Sequence, residues 1–232
     1  MKKIIWKLLV LCGTAMIMGA VCICVTNIKQ SNEAFRQSKA VLSELKQVIP
    51  EPQPATETDS ENVIDSYNKP MVNPADDLFL PYEKKTEKEK DKPDAESPPP
   101  IEIDGRYYCG YLKLPALGIE LPVMDSWSYP NLQTSPCRYS GSAESDDIVI
   151  AAHNYNSHFG RIKELSIGDE IIYINSDGLY YRYKVCNMEY IDGYDIDRMF
   201  DGNENEWDLT LFTCTLSGQS RVTIRADRIR VS

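Results

Sequence analysis

From Leu8 to Ile28 the chain runs 21 residues without a charge, bracketed by Lys7 and Lys29. No other feature limits the fold so strongly. A helix rises about 1.5 Å per residue, so this stretch covers the roughly 30 Å of bilayer hydrocarbon and reads as one transmembrane helix. A cleavable signal peptide has an apolar core of about 7 to 15 residues closed by a small-x-small site, and Val21-Cys22-Ile23-Cys24 is a poor one. A lipid-modified cysteine needs a small residue before it, whereas Leu11, Val21 and Ile23 precede Cys12, Cys22 and Cys24. Lys2, Lys3 and Lys7 lie before the span and Lys29 alone lies close after it, so residues 1–7 are expected in the cytoplasm. The expectation is a single-pass protein of the cell membrane, held by residues 8–28, with the rest outside.

Charge is segregated along the remainder. Residues 1–30 carry four lysines and no acid, whereas residues 51–100 carry six lysines against thirteen acids. With 25 basic and 35 acidic residues the net charge is −10, which offers no basic field for a phosphate backbone and argues against a nucleic-acid partner. Residues 29–49 continue as a juxtamembrane helix from Ser31, with Phe35, Leu42, Leu45 and Ile49 on one stripe and no partner expected for it. Residues 50–100 hold ten prolines and little apolar content, too little to offset the entropy of ordering a core, and read as a disordered extracellular stalk.

After Pro100 the texture changes to short β-rich runs, so residues 101–232 are the expected folded domain. Tyr107–Leu114, Ile119–Met124, Asp147–Ala152, Glu170–Asn175, Leu179–Tyr190, Trp207–Thr215 and Arg221–Val231 read as strands. Ser176-Asp177-Gly178 is a hairpin turn, and Phe159–Leu165 and Ile196–Phe200 read as short helices. Seven or more strands with one or two short helices point to an all-β domain, closed as a barrel.

Three residue types in this domain suggest chemistry. In Leu209-Thr210-Leu211-Phe212-Thr213-Cys214, alternation sets Thr210, Phe212 and Cys214 on one face, and Cys214 ends the strand. A strand end holds the backbone rigidly and leaves the last side chain accessible, as a nucleophile requires. His153 follows the strand ending at Ala152, and imidazole is the natural acid/base partner for a thiol whose ordinary pKa is near 8.5. Arg221 opens the next strand after a short turn, so it returns beside Cys214, where a guanidinium can donate two hydrogen bonds to a carbonyl or oxyanion. Arg225, Arg228 and Arg230 read as exposed charges. The same residues leave a bland reading open, and His153, His158 and Cys214 could be three zinc ligands, although neither Cys-x-x-Cys nor His-Glu-x-x-His occurs.

Together these segments resemble the sortase family, the membrane-anchored cysteine transpeptidases of Gram-positive bacteria. Thr210-Leu-Phe-Thr-Cys214 resembles the family's TLxTC signature, Arg221-Val-Thr-Ile-Arg-Ala226 its R-x-x-V/I-x-A strand, and Ile148-Val-Ile-Ala-Ala-His153 its strand ending in Gly-His. The resemblance covers roughly residues 106–231. Ala152 stands where the family usually has glycine, and the connection from Cys214 to Arg221 is shorter than in many members. Asn154 after the histidine resembles class B, and the subfamily stays open.

The resemblance implies an eight-stranded β-barrel in which Cys214 attacks a C-terminal sorting signal similar to LPxTG. A thioacyl enzyme would form and pass to an amine of a peptidoglycan stem peptide or a pilin lysine. His153 is then the acid/base, with His158 the internal competitor, and Arg221 steadies the oxyanion. No organic cofactor is implied and no metal site is assigned. Cys109, Cys137 and Cys186 have no counterpart in the signature and are expected as reduced thiols, a Cys109–Cys137 disulfide being the alternative. Leu80-Pro81-Tyr82-Glu83 shares the Leu-Pro start of the sorting signal, so residues 76–83 are a candidate lid over Cys214. Two rival readings are an L,D-transpeptidase, whose Ser/Thr-x-Gly-Cys-x-Arg segment is absent, and a catalytically idle, peptide-binding barrel.

Overall fold

The structure is a computed structural model that describes residues 2–55, 97–195, 198, 207–215 and 218–230. Residues 76–83 and most of Ile196–Phe200, expected as a lid and a helical turn, lie outside the described residues. Among those described, ten strands form in chain order: β1 (Gln53–Pro54), β2 (Ile101–Ile103), β3 (Arg106–Leu114), β4 (Ile119–Met124), β5 (Cys137–Ser140), β6 (Ile148–Ala151), β7 (Glu170–Asn175), β8 (Leu179–Asp192), β9 (Leu209–Cys214) and β10 (Ser220–Arg228). Two α-helices accompany them, α1 (Lys2–Val48) and α2 (Tyr129–Thr134), and Phe159–Leu165 contains only a 3-10 turn at Ile162–Glu164.

Eight strands close on themselves in the order β8-β10-β9-β6-β5-β4-β3-β7, with β7 returning to β8. The eight-stranded barrel is therefore as expected. β1 and β2 add short edges to β8 and β3. The β7–β8 hairpin turns at Gly178, whose φ of 82° suits glycine, and a Cβ there would meet the Pro50 carbonyl oxygen at 2.8 Å. Asn175 Oδ1 accepts from the Asp177 and Leu179 amides and closes that turn.

Period-two alternation gives the barrel two apolar layers. Leu112, Leu114, Val123, Ile150, Leu209, Leu211 and Ile224 fill its interior. Tyr108, Tyr111, Met124, Tyr139, Val149 and Phe212 line the outer wall, where Leu42, Leu45 and Ile49 of α1 pack over them. The helical stretch expected to have no partner thus has one within its own chain. Its buried stripe is Ala34, Ser38, Leu42, Leu45 and Ile49, while Phe35, one position off, is 50% exposed. Small Ala34 and Ser38 let the helix backbone approach the barrel where a phenylalanine would hold it away.

The ends of the expected stalk are likewise attached. Gln53–Pro54 pairs in parallel with Leu179–Tyr180 in β8, and Ser97 bonds Glu144 and accepts from Arg138. Residues 56–96 lie outside the described residues. Among the described residues one helix, α1, is long and apolar enough to cross a membrane.

Candidate active site

β6, β9 and β10 are neighbours in the barrel wall, and their registers bring the three sequence-expected residues to one end of it. Arg221 is the antiparallel partner of Cys214. β6 pairs with β9 in parallel at a fixed offset, Ile148 beside Leu209 and Ala151 beside Phe212, and the Ala152 amide still donates to the Phe212 carbonyl at 3.2 Å, so the chain that leaves β6 into His153 does so at the Cys214 end of β9. Adjacent strands lie about 4.8 Å apart, so the cysteine has the arginine on one flank and, on the other, the end of the strand that leads to the histidine.

Alternation also gives Cys214 and Arg221 one face. Leu209 and Leu211 point into the barrel, whereas Phe212 points outward against Tyr139 with ring centroids 5.2 Å apart, and Cys214 follows on Phe212's side. On β10, Val222 and Ile224 point inward, leaving Arg221 and Arg225 on the outer side. On β6, Val149 and Ala151 belong to the outer layer and Ile150 to the interior, and Ala152, just past the strand, is again interior, the residue from which the chain passes into His153.

The two threonines before Cys214 have structural roles that sequence reasoning missed. The Thr213 hydroxyl donates to the Ala152 carbonyl at 2.8 Å, tying the end of β9 to the residue just before His153. Thr210 accepts from Arg225 Nη1 at 2.7 Å. Their signal was in the sequence: a buried strand threonine needs a hydrogen-bond partner, and only a neighbouring strand can supply it.

Cys214 is half-buried and its thiol is free. Cys109, Cys137 and Cys186 are also free thiols, and burial pushes Cys109 and Cys186 up to about 11 and raises Cys137 further. Cys109 belongs to the interior layer and Cys137 to the outer one.

His153 is half-buried between two tyrosines missed from sequence. Tyr155 stacks on it at 4.9 Å between centroids, and Tyr129 meets it edge-on at 5.8 Å. Tyr155 lies two residues on in sequence, whereas Tyr129 comes from α2, a six-residue helix capped by Ser128 that local pattern left as loop. Burial lowers the His153 pKa, so the neutral imidazole dominates near pH 7. Its Nε2 is buried without a hydrogen-bond partner among the described residues. His158 is fully buried, its ring 5.5 Å from that of Tyr155, and burial, with His153 nearby, pushes its pKa down to about 4.

Arg221 is 9% exposed and donates through Nη1 to the Gly218 carbonyl at 3.1 Å and that of Ser220 at 3.5 Å. Gly193 packs behind it. A Cβ there would meet the Gln219 carbonyl oxygen at 2.9 Å and Arg221 Nη1 at 3.1 Å, so only glycine lets the β8 end come this close. Arg225 corrects the expectation of an exposed charge: it is fully buried, because the chain around Arg198 and Trp207 covers that part of the outer face. Arg228 pairs with Asp146 at 2.7 Å and is mostly buried, while Arg230 is half exposed and reaches Asp146 and Asp208.

A thiol beside a guanidinium, with a neutral imidazole at the same end of the barrel, supplies the parts for acyl transfer: nucleophile, proton carrier and oxyanion donor. Among the described residues no group of three His, Cys, Asp or Glu side chains is arranged to hold a metal ion.

The sequence model of a protein family described as "Sortase domain" matches residues 112–229, more than half of the chain. No curated protein matches. Solved structures similar to this one include sortase C from Clostridium perfringens SM101, at 22% identity over 53% of this chain and 71% of that chain, with a TM-score of 0.46. Sortase C1 from Streptococcus agalactiae is 25% identical over 56% and 72%, with a TM-score of 0.46. A lid mutant of sortase A from Corynebacterium diphtheriae is 19% identical over 55% and 73%, with a TM-score of 0.47.

Proposed function

Since the chain belongs to the sortase family of cysteine transpeptidases, we propose that it is a single-pass membrane enzyme that cuts a C-terminal sorting signal of exported proteins and transfers the new acyl end to an amine. Residues 8–28 are the anchor, and the barrel stands outside. Cys214 is the nucleophile, His153 the acid/base and Arg221 the oxyanion donor.

In the first half-reaction, neutral His153 takes the thiol proton as Cys214 sulfur bonds to the signal's carbonyl carbon. The negative charge that builds on the carbonyl oxygen is met by the Arg221 guanidinium. Collapse breaks the peptide bond, and His153 returns its proton to the departing amine, leaving a thioester on Cys214. In the second, His153 accepts a proton from the incoming amine as its nitrogen bonds to the same carbon, and the proton goes back to the sulfur. Peptidoglycan stem peptide or a pilin lysine supplies that amine. Burial, which lowers the His153 pKa, keeps the ring unprotonated at rest, the form from which it accepts a proton in both steps.

The observation that supports this reading is the pairing of Cys214 with Arg221 across β9 and β10, together with the parallel pairing of β9 with β6, the strand that leads to His153. The test is to incubate the full chain in lipid nanodiscs with LPxTG-like peptides, with and without an acceptor amine, and follow products by mass spectrometry. An acyl adduct on Cys214, lost in His153→Ala, and an amine-ligated product are expected. Peptide binding with no adduct would favour the idle barrel instead.

A further inference from the structure

The route of α1 fixes which end of the barrel meets the membrane. Near its C-terminal end, Lys46 pairs with Glu120 at the start of β4. About two turns earlier, the Ser38 hydroxyl reaches the Thr134 carbonyl of α2 at 3.5 Å. Earlier still, Ser31 meets Ser157, hydroxyl to hydroxyl at 3.5 Å, and the Ser157 hydroxyl donates to the Ser31 carbonyl at 3.3 Å. β4 runs from Glu120 to Met124, and Met124 lies beside Cys137, the partner of the β6 strand that leads to His153. Followed from residue 49 back to residue 31, α1 therefore climbs the wall from the far end of the barrel to the end that carries His153 and Cys214. It leaves there. Ser157 sits in the turn just after His153, whose carbonyl accepts from the Phe159 amide at 3.1 Å.

Beyond that contact, the same unbroken helix becomes the apolar run Leu8–Ile28. Ser31 is three residues past Ile28, about 4.5 Å along a helix axis. The headgroup layer is roughly 5 to 7 Å deep on each side of the hydrocarbon, so Ser31 and the Ser157 turn fall within it. The chain is also fixed to the barrel at Ala55, whose amide donates to the Tyr180 carbonyl, and at Ser97, which bonds Glu144, so the distance from α1 to the rim is set by α1 itself.

The exposed aromatic residues agree. Among the described residues the exposed tyrosines are Tyr107, Tyr129, Tyr190 and Tyr194, the last 93% exposed. Tyr107 starts β3 beside Asp125, Tyr129 lies against His153, and Tyr190 and Tyr194 end or follow β8 near Arg221 and Gln219. All four are at the active-site end, whereas the exposed aliphatic residues Ile167, Leu179 and Ile229 are elsewhere on the barrel. Tyrosine, apolar in its ring and polar at its tip, is enriched at membrane–water interfaces.

We infer that the rim bearing His153, Cys214 and Arg221 rests against the lipid headgroups of the outer leaflet, held there by α1 as a rigid strut. The inference rests on the anchor and site assignments proposed above. It assigns the exposed tyrosines to lipid and makes the docked helix a positioning element instead of a loose tether. A sorting signal would then be taken at the membrane surface, from a chain whose own span lies close to the scissile bond.

The test places a photo-crosslinking p-benzoyl-phenylalanine at Tyr129 or Tyr194 on the rim, or at Ile167 or Leu179 away from it, in the full chain in phosphatidylglycerol-containing nanodiscs. Crosslinks to phospholipid are read by mass spectrometry. Rim positions should capture lipid and the others should not; equal capture, or more at Ile167 and Leu179, overturns the inference. A second arm inserts seven helix-forming residues between Lys29 and Gln30, lifting the rim by about 10 Å with nearly the same helical phase. Lipid capture at the rim should fall. Turnover of a peptide anchored in the same disc should drop about tenfold as its effective concentration at the site falls, while turnover of a soluble peptide stays unchanged. Unchanged anchored-peptide turnover after the lift also overturns the inference. If no chain processes soluble peptide, the proposed function fails, and lipid capture still decides the orientation.

Discussion

The open rim and the wall beside it use the same three chemistries in opposite ways. At the rim stand Cys214, His153 and Arg221; in the covered wall and core stand Cys137 and Cys109, His158, and Arg225. Arg221 and Arg225 lie four residues apart on one face of β10, yet only Arg225 is wholly enclosed. It donates to Thr210 and Glu189 and to the Arg198 carbonyl, and lies 4.4 Å over the Trp207 ring. Arg221's bonds go to carbonyls of its own turn, which aim the guanidinium without enclosing it. Residue type therefore says little by itself. What covers the face decides whether the same side chain is a reagent or a rivet.

Substitutions that swap these roles test the difference. The largest effect is expected at Cys214→Ala, which should remove both the acyl adduct and all measurable turnover, because both half-reactions pass through one thioester. Cys137→Ala should retain turnover per folded molecule and lose about 1–2 kcal/mol of stability, the cost of a small cavity in the outer layer. If adduct persists without Cys214, the rim is not the site of chemistry. Arg221→Lys should come next, with kcat/KM lower by about 10²–10³, since an ammonium lacks the planar two-donor fork. Near-full activity in the lysine variant would reduce Arg221 to a simple charge.

Arg225→Met should show the converse. Glu189 keeps its pair with Arg198, but the Thr210 hydroxyl and the Arg198 carbonyl lose a buried donor, which costs about 1–3 kcal/mol, read by urea unfolding in detergent micelles. Activity per folded molecule should fall much less than in Arg221→Lys. A stable Arg225→Met chain with lost activity would place Arg225 among the reacting groups and erase the contrast.

How much of this contrast was legible in the sequence follows from what is local. Alternation over six or more residues marked Ile119–Met124 and Glu170–Asn175 with the boundaries observed. It also set Cys214 on Phe212's face. Cys137–Ser140, four residues long after Ser135-Pro136, gave no period to read, and neither did the six-residue α2 that brings Tyr129 to His153. The parallel pairing of β6 with β9, which brings the chain entering His153 to the Cys214 end of β9, joins segments about sixty residues apart and leaves no mark in either. Arg225 was misread for the same reason. Its face was evident from period two, but its cover comes from Arg198 and Trp207, outside the strand. The docking of α1 turned on the difference between Phe35 and Ala34, which only a facing surface can decide.

The two histidines give the smallest effect, and pH separates them. Burial holds His158 at about 4, below the ordinary value of 6.5, and neither ring nitrogen has a partner among the described residues. The unfolded chain therefore binds a proton that the folded chain refuses. Stability is full above pH 6.5 and falls as the pH drops through the window from 6.5 to 4, by about 2 kcal/mol at pH 5 and about 3 kcal/mol below pH 4. His153, also lowered by burial, contributes in the same direction. Glu120, whose carboxyl is held below the usual range by Lys46 and Lys113 against the opposing effect of its burial, weakens folding only below about pH 4.5, so a comparison of pH 7.5 with pH 5 isolates the histidines. His158→Gln removes the titrating group without adding a charge. The variant should unfold with a flatter dependence on pH between 7.5 and 5, and its pH–activity profile should stay that of the parent, because the proposed mechanism routes protons through His153 alone. An unchanged slope of stability would mean that His158 titrates normally. A shifted activity profile would make it part of the rim chemistry and dissolve the distinction between the two histidines.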